Sequence, residues 1–411
     1  MSGPVRLAHP RIPETAQALI RDVLSTGRLT SGECVDRLEE RLSRRLEGRH
    51  VVLVSSGTTA ALVAFHLLAE RGIGRILMPD FLFPSMASAA LRAGLEPVVA
   101  DIEPERLGLA PEAIDRLPPG ARAAVVSVDQ FGIPGFAAQM GSRAAAASLP
   151  WFEDAACALG SVDDEGHPCA TRSDLSILSF HPRKTLTTAE GGAVVTSDVD
   201  LAGRARLLRN LGVSGQGTQR RFEMAGYNAR MSEVHAAIGL AQEAIFDELL
   251  DRRRRLGRRY LERLGGLARR TGGGLGLTGG SGLGGSGLTG TTGTWGSDLT
   301  GTTGTWSNGL TVPSGFSHPG CNFQSLVVLL PDGVLRDGVV RRLAAEGIES
   351  TLPGFSIKAQ PVFAQIPEIG TLEHSRRLQD RGLALPLHER MEEDDVDFVC
   401  EALSRALAAG K

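Results

Sequence analysis

No stretch of this sequence approaches the roughly 20 uninterrupted apolar residues that a membrane-spanning helix requires, and Met1 to Pro10 contain no apolar core of signal-peptide length. A cytoplasmic protein without a membrane partner is the expectation. Charge of one sign is missing too: the formal net charge is only −3, which gives no electrostatic reason to expect a nucleic-acid partner. Cysteine is sparse. The five cysteines, Cys34, Cys157, Cys169, Cys321 and Cys400, are scattered, odd in number and never spaced as Cys-x-x-Cys, so neither a disulfide framework nor a zinc or other metal site is indicated. Reduced thiols and small-molecule partners are what these absences leave.

What is present is a soluble globular composition, 42% hydrophobic and 22% charged. At 411 residues the chain exceeds the usual size of one domain, and a large domain over 1–245 followed by a smaller one over 246–411 is expected. From about residue 50 to 200, short apolar runs alternate with alanine- and leucine-rich helical stretches, the pattern of an α/β domain with a mostly parallel sheet. The candidate strands are 51–54, 75–78, 97–100, 124–127 and 176–179. Residues 231–264 read as a long helix or helix pair, and the basic run Arg252 to Arg255 within it reads most simply as a solvated face. After residue 322 a strand near 324–330 and helices near 337–346 and 394–407 suggest a mixed α+β pattern.

Residues 271–310 depart from this pattern, with sixteen glycines, ten threonines and a single charged residue in forty positions. The octamer Leu-Thr-Gly-Thr-Thr-Gly-Thr-Trp occurs at 288 and again at 299. Such a segment buries too little to offset the entropy of ordering its glycines, so a flexible surface insertion is expected, either a natural linker or a local reading-frame error. No chemistry is assigned to it, and Trp295 and Trp306 are read as incidental.

Five segments carry chemical information. Lys184 lies in the short polar stretch 179–193, between an apolar run ending at Leu178 and another at Ala193 to Val195, which places it on a connection between strands. A lysine of this kind can form a Schiff base, for which its amine must be deprotonated; a solvated surface lysine is the other reading. Ser55 to Leu62 follows a strand and opens an apolar helix, a phosphate cradle in which Gly57 permits close approach and the hydroxyls of Ser56 and Thr58 add hydrogen bonds; a simple helix N-cap is the other reading. Asp154, in Phe152-Glu153-Asp154-Ala155-Ala156, is placed to face a ring nitrogen or merely to cap a turn. Phe83 could stack on such a ring or belong to the core, and the segment 226–231 offers Asn228 and Arg230 to an anion.

In this order the motifs resemble the fold-type I pyridoxal-phosphate enzymes, and specifically the nucleotide-sugar aminotransferases of the DegT/DnrJ group. The resemblance runs from about Thr30 to Gln242. It rests on Ser-Gly-Thr at Ser56, Glu-Asp-Ala-Ala at 153, Ser-Phe-His-x-x-Lys ending at Lys184, Glu-Gly-Gly at 190 and Gly-Tyr-Asn-x-Arg-Met-Ser-Glu at 226. It implies that Lys184 forms the internal aldimine with pyridoxal 5'-phosphate, that Asp154 pairs with the pyridinium and that Phe83 stacks on the ring. Gly57, Thr58 and Ser179 would hold the phosphate, and Asn228 would reach the phosphate of a neighbouring subunit, hence a homodimer with shared active sites.

The chain departs from the family pattern at Cys157, where Gln or His is usual near the cofactor's 3-hydroxyl, and at 350–355, usually rich in His, Tyr and Pro. A branch that removes hydroxyls carries His at the lysine position, so Lys184 argues for transamination. The implied reaction is transfer of an amino group from glutamate to a keto-sugar, nucleotide-linked, by a ping-pong mechanism. Amination of a cyclitol ketone, a pyridoxal-phosphate dehydratase or lyase, and a non-catalytic sensor of the same fold are the alternatives.

Overall fold

The computed structural model describes residues 3–215, 217–270 and 309–408. Helices α1 (Thr15–Thr26) and α2 (Glu33–Arg45) precede strand β1 (His50–Val54), which leads into α3 (Gly57–Glu70). Strands β2 (Arg75–Pro79) and β3 (Phe81–Leu82), helix α4 (Ser85–Arg92), strands β4 (Glu96–Ala100) and β5 (Ala123–Val128), helix α5 (Ala137–Ala146), and strands β6 (Trp151–Asp154), β7 (Leu175–Ser179) and β8 (Gly192–Thr196) follow. Helix α6 (Val199–Arg209), the short pair β9 (Val213–Ser214) and β10 (Arg221–Phe222), and helices α7 (Glu233–Glu243) and α8 (Phe246–Arg270) complete this half. The remainder comprises β11 (Leu326–Leu329), α9 (Arg336–Ala345), β12 (Phe355–Ser356), β13 (Glu368–Ile369), α10 (Glu373–Arg381), β14 (Gly382–Leu385) and α11 (Glu393–Ala408).

Eight strands form one sheet in the order β1-β8-β7-β6-β5-β2-β4-β13. The neighbours from β7 through β13 pair in parallel, while β8 runs against both β7 and β1, so the sheet is mostly parallel as expected. Burial on both faces explains the uninterrupted apolar runs: every residue of β5 is buried. Alternation then divides the side chains, with Val52, Ile76, Val126 and Phe152 packing in the cluster that includes α3, α4 and α6, and Leu77, Val125 and Trp151 in the one that includes α5. The C-terminal segment contributes β13 to this sheet and pairs β12 with β3, Phe355 opposite Leu82. The antiparallel pair β11–β14 shares a core with Leu256, Tyr260, Val399 and Leu403 of α8 and α11.

The basic run in α8 is not a solvated face. Arg253 is 2% exposed and ion-paired with buried Glu389, and its Nη1 donates to the carbonyls of Gln324 and Leu387 at 3.0 and 3.1 Å. Arg252 donates to Glu389 O at 2.8 Å and Arg254 to Gly160 O at 2.9 Å, which leaves Arg255 as the exposed member. Four consecutive residues span a full helical turn, so one of them must face inward whatever its charge. Of the glycine- and threonine-rich segment, residues 271–308 lie outside the described residues; Leu310 is buried and Thr311 bridges Leu329. No described helix is long and apolar enough to cross a membrane.

The Arg253–Glu389 pair yields a stability prediction. Arg253→Ala leaves a buried carboxylate uncompensated and is expected to cost about 3–5 kcal/mol in urea unfolding. The double variant Arg253→Met, Glu389→Leu is expected to recover most of that loss; equal destabilisation of single and double variants would contradict the pairing argument.

Candidate active site

The carboxyl ends of β1, β5, β6 and β7 open onto one edge of the sheet, where parallel α/β folds bind ligands. A cleft of about 260 Å³ lies there, lined by Gly57, Thr58, Phe83, Asp154, Ser179 and Lys184 among others. Six of the seven residues singled out from the sequence therefore meet in one cavity. The seventh, Asn228, is exposed outside the cleft lining, bridged to Asn210 in the strand-like segment before α7.

The anion cradle is built by helix geometry. Ser56 is the N-cap of α3, its Oγ accepting from Thr59 N at 3.1 Å, so this hydroxyl serves the helix. The amides of Gly57 and Thr58, at the first two helical positions, have no intrahelical acceptor and open into the cleft. Glycine is required by packing: a Cβ on Gly57 would lie 2.8 Å from Ser179 Cβ, and one on Gly192 would lie 2.5 Å from the Ser56 carbonyl. The close approach of α3 to β7 and β8 thus brings the Ser179 hydroxyl beside the free amides.

Lys184 sits in a tightly tied loop between β7 and β8. Its amide donates to His181 O at 2.8 Å, Thr188 N to Phe180 O at 3.0 Å, and Phe180 N to Gly191 O at 2.8 Å. Ala189 adopts the left-handed conformation at φ 68°, a strain that the surrounding bonds hold in place. The Lys184 Nζ lies 2.9 Å from Cys157 Sγ. Of the three lysines in the sequence, Lys358 is committed to the carbonyls of Ala364 and Ile366, at 2.9 and 2.8 Å, and Lys411 lies outside the described residues. All five cysteines are free, and Cys157 is the one that is not buried. His181, also in the lining, is held below its ordinary pKa by burial and by Arg183 and Lys184, against Glu190.

Asp154 is the last residue of β6, and alternation along that strand puts its neighbour Glu153 on the opposite face. Burial pushes the Asp154 carboxyl up to about 6; the Ala156 amide, which donates to Oδ1 at 3.0 Å, and the Lys184 ammonium pull it down, while Asp129 adds to the rise. Beneath it, Arg172 donates to both Asp129 oxygens, at 2.8 and 2.7 Å, and to Glu153 Oε1. Burial raises Glu153, the guanidinium opposes that, and Asp129 reinforces it. Asp129, Glu153 and Cys169 have ligand atoms within 4.8 Å of one another, yet the Arg172 cation already bonds both carboxylates and a metal ion is not needed there.

These features fit a phosphorylated pyridine aldehyde: free amides and a hydroxyl for the phosphate, a buried acid for a ring nitrogen and an amine for the carbonyl. Sequence reasoning did not find Gln130, Phe131 or Gln324, which also line the cleft. Phe131 is buried at φ 59°, and Gln130 Nε2 donates to Phe81 O at 2.7 Å. Their signal was weak because glutamines and phenylalanines occur throughout soluble proteins, and only the turn after β5 brings these two inward.

Two expectations follow. Gly57→Ala must displace Ser179 or the start of α3, and is expected to weaken inorganic phosphate and cofactor binding while costing about 1–3 kcal/mol in stability; unchanged affinity would remove the cradle. Asp154 has a folded pKa of about 6 against an ordinary 3.8, so ionising it costs stability as pH rises through that window. Without cofactor, Asp154→Asn is therefore expected to be more stable than the parent above pH 6, with the gain vanishing below pH 3.8. Thermal melts across pH would show a constant difference if the burial argument were wrong.

The geometry agrees with what comparison with known proteins finds. The model of the DegT/DnrJ/EryC1/StrS aminotransferase family matches residues 10–272 and 309–404. GDP-perosamine synthase of Caulobacter vibrioides is 27% identical over 412 residues, covering 98% of each chain. The crystal structure of DesI in the presence of its TDP-sugar product is 30% identical with a TM-score of 0.79, covering 100% of this chain and 94% of that one. The aminotransferase TlmJ from Streptoalloteichus hindustanus is 25% identical with a TM-score of 0.81, covering 99% of this chain and 100% of the other. With a lysine, a buried aspartate and an anion cradle converging at the sheet edge, and a family match over most of its length, the chain belongs to the DegT/DnrJ/EryC1/StrS aminotransferase family.

Proposed function

We propose that the protein uses pyridoxal 5'-phosphate to move an amino group from glutamate to a keto-sugar carried on a nucleotide. The observation that carries this reading is the meeting of Lys184, Asp154 and the free amides of Gly57 and Thr58 in one cleft. The names of the relatives support the acceptor class: one makes GDP-perosamine and the other was solved with a TDP-sugar product. When bound, the cofactor supplies an aldehyde carbon and an electron-withdrawing ring on which an amino group can be carried.

The protein's part follows from the residues. Amides 57 and 58 with the Ser179 hydroxyl would hold the phosphate, and Phe83, in the cleft lining, would pack against the ring. The Asp154 carboxylate would hold a proton on the ring nitrogen, and the cationic ring would in turn oppose the burial that raises this acid in the cofactor-free protein. Lys184 Nζ would hold the cofactor through its carbonyl carbon and, once free, would be the base that moves the proton of the substrate carbon. One amine leaves before the acceptor enters, so ping-pong kinetics follow. Asn228, exposed outside the cleft, serves the phosphate site of a second subunit in this reading. A cytoplasmic homodimer, with a large domain over 1–245 and a smaller one over 246–411, completes the proposal.

The test is an absorbance spectrum of protein loaded with pyridoxal phosphate, before and after L-glutamate. Loss of the visible band with growth of a near-ultraviolet one is expected for the donor half-reaction; a visible band indifferent to every amino donor would overturn it. Lys184→Ala is expected to fold, to bind the cofactor without a covalent link and to lose turnover by a factor of at least about 10³. Near-normal kcat in that variant would remove Lys184 from the chemistry, and an acceptor product without nitrogen would identify an elimination enzyme.

A further inference from the structure

We propose that Gln324 is a positioning residue for Lys184, its buried carboxamide clamping the lysine's backbone from both sides. Oε1 accepts from Thr185 N at 2.9 Å and from Thr185 Oγ1 at 3.0 Å, while Nε2 donates to Arg183 O. The two residues it binds are the immediate neighbours of Lys184. Binding both requires a donor and an acceptor on one planar head, which a carboxamide has and an apolar side chain of equal length lacks.

The clamp is itself held. Gln324 N donates to Asn322 Oδ1 at 2.7 Å, and Gln324 O accepts from the buried Arg253 guanidinium at 3.0 Å. Asn322 Nδ2 in turn donates to Cys157 O at 3.0 Å and to Leu159 O at 2.9 Å. One short segment, 139 residues beyond the loop, therefore grips both the backbone that carries Lys184 and the backbone that carries Cys157. The 2.9 Å approach of Nζ to Sγ is the product of these two holds. A lysine side chain is long and flexible, so fixing the two peptide groups at its root restricts where Nζ reaches, and reach is what a proton-shuttling amine needs.

The role assigned to Nζ rests on the aminotransferase reading, but the clamp can be tested apart from it. In cofactor-free protein, Gln324→Met removes the acceptor for Thr185 N, and hydrogen exchange of the peptide spanning 181–188 is expected to speed up at least about tenfold while the rest of the fold stays protected. In loaded enzyme the same variant is expected to lower kcat roughly ten- to a hundredfold with the donor KM within about twofold. It is also expected to shift the pH midpoint of the visible band.

Gln324→Glu supplies a second variant if Gln324→Met does not fold. An ionised carboxylate keeps the acceptor for Thr185 but opposes Arg183 O, whereas a protonated one restores the donor, so kcat relative to the parent should recover as pH falls. The charged and titratable groups facing that position are Arg253 with its partner Glu389 on the buried side, and Asp154, Cys157, His181, Arg183, Lys184 and Glu190 in the shared cleft lining. Parental exchange rates, kcat and band midpoint in Gln324→Met, or a Gln324→Glu enzyme that matches the parent at every pH, would overturn the proposal. Absence of any cofactor band in the parent would instead refute the aminotransferase reading, and hydrogen exchange would still decide the clamp.

Discussion

Backbone and side-chain polar groups at the carboxyl edge of a buried parallel sheet have lost their strand partners and must be satisfied by something else. That constraint organises this protein. Asp129 N donates to the Asp154 carbonyl at 3.1 Å, Ala156 N to the Asp154 carboxylate, and the Ser56 hydroxyl caps α3. After this local repair the Gly57 and Thr58 amides remain without helical acceptors, at the point where the cleft opens. The cleft is the part of the edge where the fold leaves backbone donors without a partner.

Charge is handled in the same way. The sheet buries Asp129 and Glu153 directly below Asp154, and Arg172 bonds both, so that the guanidinium compensates the acids the cleft does not use. Asp154 has no guanidinium beside it, only Lys184 and one amide, so burial raises it too, and a cationic ring in the cleft would favour its ionised form. Two adjacent acids on one strand acquire different tasks because alternation sends them to opposite faces.

The lysine loop depends on residues far away in the chain. Gln324 reaches it from just before β11, Arg253 holds Gln324 from the first turns of α8, and Glu389 balances Arg253 just before α11. The C-terminal part of the chain therefore contributes hydrogen bonds to the loop that carries Lys184. The same part returns β12 and β13 to strands β3 and β4, tying its backbone to the sheet that carries the site.

The alternation of apolar runs and helical stretches was sufficient for the parallel sheet, because strands buried on both faces must be continuously apolar. That Lys184, Asp154, Gly57, Thr58, Phe83 and Ser179 share one cleft has a related reason: each lies at a strand's end or on the connection that follows it, where the chain pattern turns from apolar to polar. What the sequence could not determine were the contacts set by helix rotation and long-range packing. Arg253 reads as solvent-facing among three other arginines, and only the orientation of α8 against β11 and β14 buries it. Gln324 carries no local signal, since its hydrogen-bond partners lie in a loop 139 residues away. Composition and spacing decide which segments become strands and where the chain is left polar, because those depend on near neighbours; the tertiary structure alone decides which distant donors and acceptors meet, because that depends on how the finished elements pack.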